Sequence, residues 1–213
     1  LLLLNDADHT YAKIRFDETS LDTVERRLTE IEDELTRAVI WTALWNLTRD
    51  GELAAVDYVG GVVKHEAYET NRTLLATACS NANFAIAHYV ADVDREQVRA
   101  DYAEAIWGHL AEAEPASDAQ LVLARAAIRA LAATPEESGT ERLRALLNGE
   151  VAGLRMDPEI RWSILRALAA RDAITLAELE KEKRRDNTLT GAKEFLGASH
   201  AFPTPETKRS AFN

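Results

Sequence analysis

Leu1 to Ser20 reads L-L-L-L-N-D-A-D-H-T-Y-A-K-I-R-F-D-E-T-S, and no later stretch of the chain looks like it. Four leucines, a polar knot from Asn5 to Thr10 and the alternating run Tyr11, Ala12, Lys13, Ile14, Arg15, Phe16 predict strand, turn, strand. A lone pair of strands can neither bury both faces nor satisfy its own edges in water. Residues 1–16 are therefore expected to be terminal strands of a sheet that this sequence does not supply. The chain reads as a piece of something larger, and the absence of an initiator Met agrees with that.

From Asp17 to the end the apolar periodicity is helical. Ser20 is the expected cap of a first helix striped by Leu21, Val24, Leu28 and Ile31. Asp33 opens a second, apolar around most of its circumference and stopped by Gly51 after Asp50. Trp41 and Trp45, four residues apart on it, are expected to pack the core rather than form an aromatic ledge. Leu53 to Ala67 is a third helix with Gly60 and Gly61 in its middle, a pair that implies a kink or a close helix contact. Asn71, Asp94 and Ser117 begin the next three, with stripes through Leu75, Ala78, Ala82, Ile86 and Tyr89, through Val98, Tyr102, Ala105, Ile106 and Leu110, and through Leu121, Ala124, Ile128 and Leu131. Pro135 to Gly139 is a predicted loop, Thr140 to Leu147 a short helix, and Asp157-Pro158 a further start with Ile160, Ile164 and Leu168 facing inward. Thr175 to Arg185, Leu189 to Ser199 and a last helix from Pro205 follow. About ten helices joined by short loops predict an all-α fold of irregular stacked antiparallel helix pairs in a HEAT- or armadillo-like superhelix, with a short N-terminal β remnant. A closed bundle is the runner-up. Residues 1–16 form one piece and residues 17–213 one helical domain.

Length and charge bound the function. The chain has 213 residues, 46% of them hydrophobic, enough for a real core, and its longest apolar run falls far short of a bilayer span. Leu1 to Leu4 lacks the basic region of a signal peptide. A formal net charge of -11 argues against nucleic acid as the main partner. One cysteine, Cys79, in an apolar helical run reads as a buried thiol in a reducing cytoplasm.

Chemistry is sparse. His65-Glu66-Ala67-Tyr68-Glu69 approaches the H-E-x-x-H zinc motif, but Glu69 stands where the second imidazole belongs, so the stretch reads as a solvated helix face. There is no G-x-S-x-G, no P-loop, and no base beside Cys79 in sequence. No catalytic or metal-ligating residue and no cofactor are assigned to this chain. The one suggestive patch is Lys181, Lys183, Arg184 and Arg185, able in principle to hold the carboxylate end of a peptide. Its bland alternative is a solvated face paired with Glu178, Glu180 and Glu182.

The pattern L-L-L-L-N-D-x-D-x-T-Y-A-K-I-R-x-D from Leu1 to Asp17 resembles the end of the β-sandwich domain and the entry to the C-terminal helical domain of the aminopeptidase N family, above all its actinobacterial members. A-x-x-W-x-x-x-W-N-L-T-R-D-G-E-L from Ala38 to Leu53 is similar to that family's second helix and turn. Arg185-Asp186-Asn187-Thr188 with Gly191, then Pro205 and Lys208, is similar to its closing helices. The resemblance implies a non-catalytic helical domain of a zinc-dependent aminopeptidase, capping the catalytic cleft and limiting peptide access. Its partners would be its own upstream catalytic and β-sandwich domains and peptide substrates, with zinc in the upstream catalytic domain and no membrane or nucleic acid involved. The family's zinc helix, glutamate ligand, G-x-M-E-N motif and catalytic tyrosine all lie upstream of such a domain, so no catalytic residue carries over, and Tyr11 is not that tyrosine. The alternatives are a free-standing helical interaction scaffold and an independent hydrolase built on His65 and Glu66.

Overall fold

A computed structural model describes residues 1–134 and 137–211, and among them it contains eleven α-helices and no strand. The helical stretch divides into two compact units, Leu1–His109 and Leu110–Asn213.

The first unit holds α1 (Glu18–Arg27), α2 (Glu34–Arg49), α3 (Ala55–His65), α4 (Arg72–His88) and most of α5 (Asp92–Glu112), with 3-10 turns at Leu28–Glu30 and Glu66–Tyr68. Asp17, not Ser20, caps α1: its carboxylate accepts from the Ser20 N–H at 3.0 Å and from the Ser20 hydroxyl at 2.7 Å. A carboxylate at a helix N-terminus also meets the positive end of the macrodipole, which decides between the two candidates. Asp33 and Asn71 cap α2 and α4 as expected, while α5 starts two residues before Asp94. Asp50 and a left-handed Gly51 (φ +76°) end α2. α2 buries Val39, Ile40, Trp41, Ala43, Leu44 and Leu47, and packs on α3 and α4, which pack on each other.

The expected strands at residues 1–16 do not form. A strand exists only through a ladder, and among the described residues the backbone N–H groups of Tyr11 to Phe16 find no hydrogen-bond partner. The segment instead folds back on itself and on α2. The Asn5 side chain spans the knot, donating to the Thr10 carbonyl at 2.7 Å and accepting from the Thr10 N–H at 2.8 Å. Asn5 and Asp8 take positive φ, a conformation that Asn and Asp tolerate. Ile14, with Leu3 and Phe16, packs against Val39 and Ala43 of α2.

The second unit contains α6 (Asp118–Ala133), α7 (Glu137–Leu147), α8 (Pro158–Ala170), α9 (Leu176–Arg185), α10 (Leu189–Ser199) and α11 (Pro205–Ser210). α8 is its centre, burying Ile160, Trp162, Ile164, Leu165 and Leu168 and packing on α6, α7 and α10. Ser117 and Asp157 cap α6 and α8 at their predicted positions, and Thr175 caps α9 in a full capping box with Glu178. Of the loop predicted at Pro135 to Gly139, Pro135 and Glu136 lie outside the described residues, and α7 has already begun at Glu137. Gly139 is helical there because a side chain would meet the Thr134 hydroxyl and the Leu131 carbonyl.

Gly60 and Gly61 are not explained by close packing. A Cβ built on either meets no heavy atom within 4 Å, whereas one on Gly191 would fall on the carbonyl and carboxylate of Asp186. Gly60→Ala and Gly61→Ala should therefore each raise the unfolding free energy by about 0.5–1 kcal/mol, the backbone entropy that glycine forfeits inside a helix. Gly191→Ala should lower it, and urea titration followed by circular dichroism checks all three.

Candidate functional site

The stretch His65 to Glu69 is buried where a solvated helix face was expected. α3 stops at His65 and the chain tightens into a 3-10 turn, which carries the following side chains off the helical face and inward. His65, Glu66 and Glu69 are 4%, 1% and 8% exposed, while Tyr68 points out. His65 Nε2 donates to the Glu25 carbonyl at 2.9 Å, and burial lowers its pKa, favouring the neutral ring. Glu69 accepts from Arg37 Nε at 3.1 Å, from Arg37 Nη2 at 3.0 Å and from the Asn71 N–H at 2.9 Å. Arg37 spends its remaining Nη1 donors on the Ile31 and Glu32 carbonyls. This buried pair is paired and hydrogen-bonded, the condition under which such charges persist in a core.

Glu66 draws three elements together. Its Oε1 accepts from His109 Nδ1 of α5 at 2.6 Å, and its Oε2 from the Cys79 thiol of α4 at 3.4 Å. The Cys79 carbonyl in turn accepts from the Tyr102 hydroxyl at 3.2 Å and from Asn83 Nδ2 at 2.9 Å. Burial raises the Glu66 pKa, against the pull of His109 in the other direction. Burial first and the Glu66 charge second push the Cys79 thiol well up, so no thiolate nucleophile is available. Tyr102 is pushed up by burial as well. Among the described residues no three His, Cys, Asp or Glu side chains are placed to hold a metal ion. Sequence reasoning anticipated a buried Cys79 but missed Glu66 and His109 as its neighbours, because 43 residues separate that pair and no spacing rule joins them.

The basic patch lies on the last turns of α9, and Lys181, Lys183, Arg184 and Arg185 are all exposed. Two of the three acids expected to pair with them are engaged elsewhere, while Glu180 lines the same depression as Lys183 and Arg184. Glu178 accepts from Arg144 at 2.8 Å and closes the Thr175 cap, which hold its pKa down to about 2. Glu182 turns inward to a two-fold bond with Arg161 at 2.8 Å, with Arg185 3.7 Å away. The expected pairing with Glu178 and Glu182 therefore reduces to that one loose contact. Lys183 Nζ stands 4.5 Å over the Phe195 ring, and Glu180, Lys183, Arg184, Asn187 and Phe195 line an open depression. Lys181 and Arg185 are not part of its lining.

Trp41 is buried as expected, edge-on to Tyr58 at 6.2 Å. Trp45 is half-buried, with Tyr58, Phe84 and Tyr89 at 5.3–6.0 Å.

The family model described as the ERAP1-like C-terminal domain matches residues 1–213. The aminopeptidase N of Streptomyces lividans is 38% identical over 214 residues, an alignment that covers 100% of this chain and 25% of that relative. The chain thus spans a quarter of the length of the curated relative it matches.

Glu66 makes a pH-dependent contribution whose sign follows from its raised pKa. The folded chain holds that proton more tightly than the unfolded one, so the contribution is full below the ordinary value of 4.5 and is lost as pH rises through the folded value. Glu66→Gln, which cannot ionise, should flatten this part of the stability profile, read as unfolding free energy against pH. Glu66→Ala, which leaves the Cys79 thiol without its acceptor, should cost about 1–3 kcal/mol.

Proposed function

From the premise that this chain belongs to the ERAP1-like C-terminal domain family, we propose that it is the non-catalytic helical domain of a zinc-dependent aminopeptidase, where it caps the catalytic cleft and controls which peptides enter. The observation that carries this reading is the match of the whole chain to a quarter of an aminopeptidase N. The chain's own chemistry supports it: Glu66, Cys79 and Glu69 are buried and bonded to one another or to structural partners. Zinc would then be bound upstream, by residues outside this sequence. The partners are the upstream catalytic and β-sandwich domains in cis, with peptides as substrates.

Two features fit such a domain. Tyr11 to Phe16 is extended and unladdered, as the last strand of a neighbouring β layer would be when seen alone. The outward cations of α9 stand in a chain of net charge -11, a local inversion suited to the terminal carboxylate of a peptide. Arg184 offers the planar donors for it and Lys183 a point charge beside the Phe195 ring. No described helix is long and apolar enough to cross a membrane. A lone buried thiol suits a reducing compartment, and we place the enzyme in the cytoplasm.

The isolated chain should not hydrolyse aminoacyl anilides with or without added zinc, and the complete gene should encode H-E-x-x-H several hundred residues before Leu1. Zinc-dependent turnover by the isolated chain, or a gene lacking that motif, would overturn the reading. In the complete enzyme, replacing Lys183 and Arg184 by Ala should raise KM for long peptides about tenfold more than for an aminoacyl anilide, as expected for lost charge-assisted bonds. Equal effects on both substrates would remove α9 from the peptide path.

A further inference from the structure

We propose that the segment ending at Phe16 is a strap clasped to α2 by charge, released as a unit by raised ionic strength while the helices stay folded. Its attachments are few. Leu3, Ile14 and Phe16 supply one small apolar contact with Val39 and Ala43, and the Leu2 N–H donates to the Ser20 hydroxyl at 2.9 Å. The rest is ionic: Lys13 Nζ lies 2.7 Å and Arg15 Nη2 2.8 Å from Asp50, and Arg15 Nε lies 2.5 Å from Glu52.

The receiving end of α2 explains why the clasp forms. Asp50 is the C-cap residue and Glu52 follows two positions on, so two carboxylates crowd the negative end of the helix macrodipole. Lys13 and Arg15 relieve that crowding, and Lys13 is the largest cause of the lowered Asp50 pKa. All four side chains are between 27% and 56% exposed, so dissolved ions reach the clasp and screen it.

Little in the backbone holds the strap when the clasp weakens: among the described residues Tyr11 to Phe16 donate no backbone hydrogen bond, and the Leu2 N–H bond to Ser20 lies far from the clasp along the chain. The joint is also imperfectly filled. A cleft of about 120 Å³ separates Ala12 and Ile14 from Ala38 and Thr42. Release would bare the Val39–Ala43 face of α2. This inference stands on the contacts of residues 1–52 alone and does not depend on the parent enzyme's chemistry.

The test uses the full chain carrying Ile14→Cys, with the native buried Cys79 as an internal reporter of core opening. Thiol labelling is resolved by peptide mass spectrometry. Between about 50 mM and about 1 M NaCl, labelling of the thiol at position 14 should rise about fivefold while Cys79 labelling and helical circular dichroism hold still. Adding Asp50→Asn and Glu52→Gln together should give the fast rate already at low salt and abolish the salt response. In the unsubstituted chain, tryptic cleavage after Lys13 and Arg15 should rise with salt relative to cleavage after Arg209, which is free of any effect of the introduced cysteine. Salt-independent labelling, labelling that tracks Cys79 throughout, or a constant cleavage ratio would overturn the proposal.

Discussion

Glu66 has no solvent-exposed side-chain surface, and the first unit is arranged around that constraint. A carboxylate removed from water must find donors or abandon its charge. Here the donors come from α4 and α5, so helices distant in sequence are tied to one turn. Three residues on, Glu69 repeats the solution with Arg37 of α2. The turn after α3 thus carries two buried carboxylates whose partners lie on α2, α4 and α5. Such contacts add little net stability over an apolar core, but breaking one partner is costly. Their effect is to specify which helices can be neighbours, a task that interchangeable apolar residues such as Ala78, Ala82 and Ala85 of α4 perform poorly.

The second unit solves a related problem in α7 to α10, helices of ten to thirteen residues, near the length at which isolated helices are marginal. α8 reaches its neighbours through polar ties as well as its apolar stripe. Arg161 binds Glu182, the Trp162 indole donates to Asp186 at 2.8 Å, and Arg166 pairs with Glu194. At the far end of α8, Arg171 donates to the Thr140 hydroxyl and to the Leu131 and Thr134 carbonyls.

What was legible in the sequence was local. Asp33, Asn71, Ser117 and Asp157 cap the helices they were expected to begin, because a cap is decided within three residues of its own position. The all-helical character and the inward stripes of α4, α6 and α8 followed from periodicity for the same reason, except that Tyr89, expected on the α4 stripe, is the C-cap residue beyond the helix and is exposed. The misreadings depended on groups far along the chain. His65 to Glu69 looks like a polar surface until Arg37, Cys79 and His109 are brought to it. Residues 11–16 have the alternation of a strand and lie against α2 without a ladder, the sheet they were expected to join not being supplied by this sequence. The buried thiol of Cys79 was legible; the carboxylate of Glu66 bonded to it and to His109 was not.

Asp186 gives a physical meaning to the closing stretch by which this chain resembles aminopeptidase sequences. It receives the Trp162 indole on one oxygen and the Thr188 hydroxyl on the other, and both bonds lower its pKa, the indole most. Thr188 then caps α10 through the Gly191 N–H at 2.9 Å, and Gly191 is small because Asp186 occupies the space a side chain would need. D-x-T-x-x-G here is a carpentry joint between α8, α9 and α10, indifferent to the reaction performed elsewhere. A search for relatives keyed to that stretch would gather proteins sharing a way of fastening three short helices, and the chemistry of each would have to be read from another part of its chain.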